Sequence, residues 1–232
     1  MIPWIYIDSA RGPDGGELKL MRRGAEYSIK LAGNELMNSR LSGSEQALAT
    51  LTCARLATAK PRLLIGGLGM GFTLRAALGV LGSQAHIDVA EIVPQVVAWA
   101  RGPMAELHGA SLTDPRVAII ETDVVSLIAQ AAAKTAKAYD AILLDVDNGP
   151  DGLSRPGNDR LYDHAGLEMA CAALQPRGLL AVWSSAPDRT FSKRLRQAGF
   201  AVDEQSARAH GGGKGGDKGG GARHTIWLAT RN

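Results

Sequence analysis

Cysteine and histidine are scarce in this sequence, and their spacing does not suit the common metal and redox sites. The two cysteines, Cys53 and Cys171, lie in Ala/Leu-rich helical patterns with no CxxC pair and no histidine nearby. We therefore expect buried structural thiols rather than a redox or metal pair. The five histidines lack the spacing that metal ligands use, so the sequence predicts no metal site.

Long apolar runs and a large excess of one charge are also missing. No apolar segment approaches the roughly 18 residues that read as a membrane span. The start MIPWIYIDSARG lacks the charged and apolar stretches of a secretory signal. The net charge of +3 is small for 232 residues, and part of it lies in the Gly/Lys-rich tract 211–221. These features predict a cytoplasmic protein that binds neither membrane nor nucleic acid.

The first forty residues have the pattern of a small antiparallel β unit. The runs WIYI, LKL and YSIKL alternate as β-strands do, and the turn segments GPDGG and AGN separate them. We assign residues 1–42 to this N-terminal β unit. After it, Ser44 is expected to cap a helix that begins near Glu45 and continues until Lys60-Pro61 stops it.

From Arg62 onward, short apolar runs alternate with helical patterns. This order predicts an α/β fold over 43–232: a Rossmann-like, doubly wound, mostly parallel seven-stranded sheet with an antiparallel last strand. Since no helix separates the last two strands, we expect a hairpin there. We interpret tract 211–221 at its tip as flexible, in preference to an anion-binding flap. The candidate strands are 63–65, 87–90, 117–120, 141–144, 179–183, 201–204 and 225–228.

A glycine-rich turn follows the first strand of the predicted sheet, in the segment LLIGGLGMGFTLRAAL. It contains Gly66, Gly67, Gly69 and Gly71. In a doubly wound sheet this turn approaches a bound ligand most closely. It is not the dinucleotide fingerprint, because Phe72 replaces the third glycine, and it lacks the ending of a phosphate-binding P-loop. A packing turn without a ligand remains the alternative.

Acidic residues stand at the ends of the next two strands. Glu91 ends an apolar strand about twenty residues beyond the glycine turn, where a carboxylate can accept hydrogen bonds from both hydroxyls of a ribose. An ordinary carboxylate at a strand end is the alternative. Asp123 follows the third strand and either caps the next helix or accepts a hydrogen bond from an adenine amino group.

The fourth strand ends in the segment AILLDVDNGPDG, which places Asp145 and Asp147 above the edge of the sheet. Acidic groups at this position can hold a cationic amine and take up its proton. A loop of solvated turn residues would explain Asp151 well and Asp145 poorly. Asp145 and Asp147 are therefore the candidate catalytic residues.

These motifs, in this order, resemble the spermidine synthase family of polyamine aminopropyltransferases, which has a class I methyltransferase-like fold. The resemblance rests on GGLGMG, VAEIVP, IIETD, ILLDVDNGP and NDRLYDHAGLEMACAALQPRGLLAVW. It implies that Glu91 holds the ribose, that Asp123 holds the adenine, and that Asp145 accepts the proton of the attacking amine. The segment RLSGSEQALATL is similar to the family's entrance helix, which implies that Glu45 holds the far amine of a polyamine.

The sequence departs from the family at several positions. Gly69 stands where the family has an aspartate in the glycine loop, and Gly43-Ser44 stands where a tyrosine is usual. The loop after Asp145 is shorter, and Asn148 occupies the approximate place of a second acid, as a candidate substrate-binding residue. These departures weaken the polyamine assignment and leave the nucleoside pocket intact.

Three functions follow from this pattern. The first is transfer of an aminopropyl group from decarboxylated S-adenosylmethionine to a small amine. The second is methyl transfer from intact S-adenosylmethionine in the same pocket. The third is a non-catalytic nucleoside-binding relative, although a binding module needs no acidic acceptor such as Asp145. The sequence is also compatible with a homodimer.

Overall fold

The computed structural model describes residues 2–146, 149–150, 159–209 and 222–232. The tract 211–221, interpreted above as a hairpin tip, lies outside the described residues. The strands are β1 (Ile5–Arg11), β2 (Glu17–Arg23), β3 (Glu26–Leu31), β4 (Asn34–Asn38), β5 (Arg62–Gly66), β6 (His86–Glu91), β7 (Val117–Glu121), β8 (Tyr139–Leu144), β9 (Leu174–Ser184), β10 (Phe200–Arg208) and β11 (Arg223–Arg231). The helices are α1 (Gly43–Cys53), α2 (Phe72–Val80), α3 (Pro94–Arg101), α4 (Ala105–His108), α5 (Val124–Ala132), α6 (Asp159–Tyr162), α7 (His164–Ala173) and α8 (Arg189–Gln197).

The N-terminal unit is a four-stranded antiparallel sheet in the order β1-β2-β3-β4. Strand β4 is absent from the sequence-based prediction. Its residues NELMN contain none of the β-branched or aromatic residues that favour strands. The turn before it was predicted, and Ala32 and Gly33 have the positive φ values of 49° and 86° that a tight hairpin turn requires.

Helix α1 differs from its predicted bounds at both ends. Ser42, rather than Ser44, occupies the N-cap, and the helix begins at Gly43. It ends at Cys53, well before Lys60-Pro61. Residues 57–60 are exposed, so continuing the helix would bury no apolar face and would gain no packing energy.

The second sheet confirms the predicted Rossmann-like fold. Its seven strands run in the order β10-β11-β9-β8-β5-β6-β7. The pairs among β5 to β9 are parallel, whereas β11 pairs antiparallel with both β9 and β10. Strands β5 and β8 are buried over nearly their whole length because helices cover both faces of the sheet. The carboxyl ends of β5, β6, β7 and β8 meet at one edge, where the candidate site residues lie.

The N-terminal sheet shares an apolar core with the seven-stranded sheet. Leu20 and Ile29 are fully buried and share one apolar core with Leu63 and Leu48. The indole Nε1 of Trp99 on α3 donates a 2.7 Å hydrogen bond to Asp8 on β1. The division of the chain after residue 42 stays a prediction.

Cys53 and Cys171 are free thiols, each only partly buried. Burial raises the pKa of the Cys53 thiol to about 11, so that thiol is protonated at neutral pH. No helix in the described part of the chain is both long and apolar enough to cross a membrane.

Candidate functional site

The glycine turn joins β5 to α2, and three of its residues have left-handed backbone conformations. The φ angles are 90° at Gly67, 47° at Gly69 and 73° at Gly71. A Cβ on Gly67 would lie 2.7 Å from the carbonyl oxygen of Asp145, and a Cβ on Gly71 would lie 2.5 Å from Nδ1 of His108. These two glycines are therefore required by packing alone, whether or not a ligand binds.

Gly66 and Gly69 contribute to the turn differently. A Cβ on Gly66 would lie 3.1 Å from Val124 and 3.3 Å from Leu144, so the bare backbone at Gly66 lets α5 pack close to the sheet. Gly69 has an open side, where an added Cβ would meet only the Met37 sulfur at 3.3 Å. Gly67 and Gly69 both border two cavities. Of these two, only Gly69 has a Cβ position clear of backbone atoms, which makes it the loop glycine with the clearest relation to a ligand.

Glu91 ends β6 as predicted and is 7% exposed. Its carboxylate accepts hydrogen bonds from the backbone N–H groups of Leu68 at 3.0 Å and Val93 at 2.9 Å. Burial raises the pKa of Glu91, and backbone hydrogen bonds oppose that shift. Glu91 thus holds the glycine loop against the end of β6. The sequence did not indicate this structural role. Glu91 also borders a cavity.

Asp123 caps helix α5, which confirms one of its two interpretations. Its Oδ1 accepts a 3.0 Å hydrogen bond from the backbone N–H of Val125. Asp123 also lines the same cavity as Glu91. Capping occupies one carboxylate oxygen, so the position remains compatible with an adenine contact.

The cavity beside Glu91 has a volume of about 390 Å³, and we name it the Glu91 cavity. One wall comes from the strand ends and contains Glu91, Asp123 and the glycine loop. The opposite wall comes from the N-terminal sheet and includes the apolar side chains of Ile29 and Leu31. A volume in this range suits a small organic ligand such as a nucleoside.

A second cavity of about 280 Å³ adjoins the first, and we name it the Glu45 cavity after its residue on α1. Its wall includes Glu45, Trp183 and His224. Both cavities are lined by Leu36, Met37, Gly67, Gly69 and Asp145. The two spaces therefore meet at the glycine loop and at the carboxyl end of β8.

Asp145 is the acidic side chain on this shared wall. Its Oδ2 accepts a 2.6 Å hydrogen bond from the hydroxyl of Thr73. Burial, followed by the negative charge of Glu45, raises the pKa of Asp145 to about 7, against the opposing effect of the Thr73 hydrogen bond. A carboxyl group with this pKa can accept or release a proton near neutral pH.

The sequence reasoning missed two polar side chains of the site. Thr73 lies in the first turn of α2 and is 3% exposed; its position directly behind the glycine loop is the signal that was available. His224 lies on β11 and its ring contacts Trp183 edge to face, with centroids 4.8 Å apart.

Asp147 and Asn148, predicted as catalytic and substrate-binding residues, lie outside the described residues. Among the described residues, no His, Cys, Asp and Glu side chains form a group of three that could hold a metal ion.

Comparison with known proteins supports the family resemblance. A polyamine aminopropyltransferase of Mycobacterium tuberculosis is 28% identical over 192 residues, which cover 80% of this chain and 35% of the relative. A polyamine aminopropyltransferase 1 of Streptomyces coelicolor is 29% identical over 150 residues, 61% of this chain and 27% of the relative. The chain thus spans about a third of the length of these curated relatives. It matches no protein-family model.

Solved structures show the same fold. A spermidine synthase from Thermotoga maritima superposes with a TM-score of 0.73 at 16% identity, over 98% of this chain and 73% of that one. A spermidine synthase in complex with the transition-state analogue AdoDATO superposes with a TM-score of 0.72 at 16% identity, over 98% and 72% of the two chains. The spermidine synthase-like resemblance and the α/β fold read from the sequence are both confirmed.

Proposed function

We propose that this spermidine synthase-like chain transfers an aminopropyl group from decarboxylated S-adenosylmethionine to a small amine. The Glu91 cavity would hold the nucleoside part of the donor, with Glu91 at the ribose hydroxyls and Asp123 at the adenine. The Glu45 cavity would hold the amine, with Glu45 beside its cationic end.

One observation carries this proposal: Asp145, with a pKa raised to about 7, lies on the wall shared by the two cavities. A group that needs to reach both a donor and an acceptor belongs at such a junction. A nucleoside-binding protein without catalysis would have no use for a carboxylate whose ionised form is destabilised by burial and by Glu45.

The chemistry asked of the protein is a single displacement. The neutral nitrogen of the amine forms a bond to the aminopropyl carbon next to the sulfonium as the carbon–sulfur bond breaks. The sulfur keeps the bonding electrons and leaves as 5′-methylthioadenosine, and the proton lost from the new ammonium passes to the carboxylate of Asp145. Since the sulfonium is already a good leaving group, the main contribution of the site is alignment and removal of water.

Asp145 would carry out two steps in this reaction. Its ionised form attracts the amine and orients its lone pair, with the Thr73 hydroxyl holding the carboxylate in place. It then accepts the proton released on bond formation. Because only the carboxylate form can do this, activity should rise with pH through about 7, the pKa of Asp145.

Methyl transfer from intact S-adenosylmethionine is the second candidate, and Gly69 favours it. No acidic side chain stands at this loop position to pair with the donor amine and to repel a donor carboxylate. The nearest side chain is the neutral thioether of Met37. Discrimination between the two donors should therefore be weak, since like charge is what rejects the intact form.

The deciding experiment supplies each donor with putrescine and with spermidine and follows the nucleoside released. Methylthioadenosine from the decarboxylated donor supports aminopropyl transfer, and S-adenosylhomocysteine from the intact donor supports methyl transfer. If neither product forms with any amine while methylthioadenosine binds, the chain is a nucleoside-binding relative without this activity.

A further inference from the structure

Three hydrogen-bonded side chains form a row, and two of them, Glu45 and His224, line the Glu45 cavity. The hydroxyl oxygen of Ser44 lies 2.7 Å from Oε2 of Glu45 and 2.8 Å from Nδ1 of His224. Ser44 is fully buried, and Trp183 contacts the imidazole edge to face at an interplanar angle of 76°. The row joins the start of α1 to the start of β11, so it fixes the imidazole against the cavity wall.

The chemistry of the row determines where the protons are. A carboxylate only accepts hydrogen bonds, so the single hydroxyl proton of Ser44 points to Glu45. The Ser44 oxygen can then only accept from His224, which places a proton on Nδ1. In the neutral imidazole, Nε2 carries no proton and has a free lone pair.

The surroundings of this lone pair suit a cation. In the described part of the chain, the acidic side chains that line the same cavity as His224 are Glu45 and Asp145. Among the described residues, no Lys or Arg side chain lines the Glu45 cavity. Burial lowers the pKa of His224, with Glu45 opposing, which favours the neutral form of the ring.

We propose that Nε2 of His224 accepts a hydrogen bond from a protonated nitrogen of the acceptor that is remote from the reacting nitrogen. This inference rests on the proposed transfer to an amine. Ser44 holds the ring in the tautomer that can accept, and Glu45 supplies the opposite charge. His224 would thereby help select acceptors that carry a second cationic nitrogen over monoamines of equal length.

Two isosteric variants separate the ring nitrogens. His224→Asn places an amide near Nδ1 and keeps the contact to Ser44, but it offers nothing at Nε2. His224→Gln places an amide oxygen near Nε2. Titration calorimetry of putrescine and of n-butylamine into protein saturated with methylthioadenosine measures acceptor binding without turnover.

We expect His224→Asn to weaken putrescine binding at least about tenfold, the range for one hydrogen bond to a charged group. It should leave butylamine and methylthioadenosine affinities unchanged, and His224→Gln should restore most of the putrescine affinity. In steady-state kinetics the same variant should raise KM for putrescine more than it lowers kcat. The ¹⁵N shifts of the imidazole should show a protonated Nδ1 and an unprotonated Nε2.

The inference would be overturned if His224→Asn left putrescine binding unchanged, or if the wild-type protein bound no putrescine. It would also be overturned if the ¹⁵N shifts placed the proton on Nε2. Failure of the proposed function has a different signature. If putrescine binds in a His224-dependent manner but no methylthioadenosine is released from the decarboxylated donor, the amine site stands and aminopropyl transfer does not.

Discussion

Replacing Asp145 by Asn should stabilise the protein, and the stabilisation should grow with pH. Asn keeps the shape of the side chain and an oxygen for the Thr73 hydroxyl, so the change removes the charge and little else. Burial and the nearby charge of Glu45 raise the pKa of Asp145 from 3.8 to about 7. The folded state therefore holds a proton between these pH values that the unfolded chain releases.

The sign and size follow from proton linkage. Because the folded-state pKa lies above the unfolded one, the contribution of Asp145 to stability falls as pH rises from about 4 to about 7 and is constant above that. The full shift of about 3 units corresponds to about 4 kcal/mol at 1.36 kcal/mol per unit. A comparison of pH 5 with pH 8 covers about 2 of these 3 units, which correspond to about 3 kcal/mol. Solvent screening from the adjoining cavities reduces the expected difference to about 1–3 kcal/mol.

Urea denaturation of both proteins at pH 5 and pH 8 measures this quantity. The free energy of unfolding of Asp145→Asn, relative to wild type, should be about 1–3 kcal/mol higher at pH 8 than at pH 5. Repeating the comparison in a Glu45→Gln background is the control, because removal of the neighbouring charge should shrink the effect. An equal difference between the two proteins at both pH values would refute the raised pKa and, with it, the assignment of Asp145 as a proton acceptor near neutral pH.

The other expected outcomes concern activity and binding. In the pH–rate profile, Thr73→Val removes the hydrogen bond that lowers the pKa of Asp145, so the rise in activity should move about one unit to higher pH. Glu45→Gln should move it to lower pH, and two shifts of the same sign would contradict the electrostatic account. Glu91→Ala should weaken methylthioadenosine binding by about 1–3 kcal/mol in calorimetry, through loss of charge-assisted hydrogen bonds; unchanged affinity would remove Glu91 from the site. Gly69→Val should give a folded protein, checked by circular dichroism, that no longer binds methylthioadenosine, and normal binding would make the loop a packing turn only.

The seven-stranded sheet was predictable because its central strands are buried on both faces. Runs such as LLI in β5 and AILL in β8 have no polar face to solvate, and helical patterns separate them. Strand β4 has no such signal, since it lies at an edge of the small sheet and its burial is only partial. Its place is set by pairing with β3 rather than by its own residues.

The strand-end acids were predictable for a topological reason. Parallel strands bring their carboxyl ends to one edge, so Glu91, Asp123 and Asp145 converge whatever their distance in sequence. Thr73 and His224 follow no such rule. The hydroxyl of Thr73 reaches a residue 72 positions away and His224 reaches Ser44 across 180 positions, and only the packed fold brings these pairs together.

The position of the Glu91 cavity, between the N-terminal sheet and the seven-stranded sheet, couples ligand binding to the docking of the two. A ligand that contacts both walls binds only while the two sheets are packed together. Its binding free energy therefore also opposes their separation. The 2.5 Å hydrogen bond from the Tyr27 hydroxyl to the carbonyl of Pro103, which follows α3, also joins the N-terminal sheet to the rest of the fold. Occupancy of the cavity should thus slow amide hydrogen exchange in β2 and β3, including at backbone positions that no ligand touches.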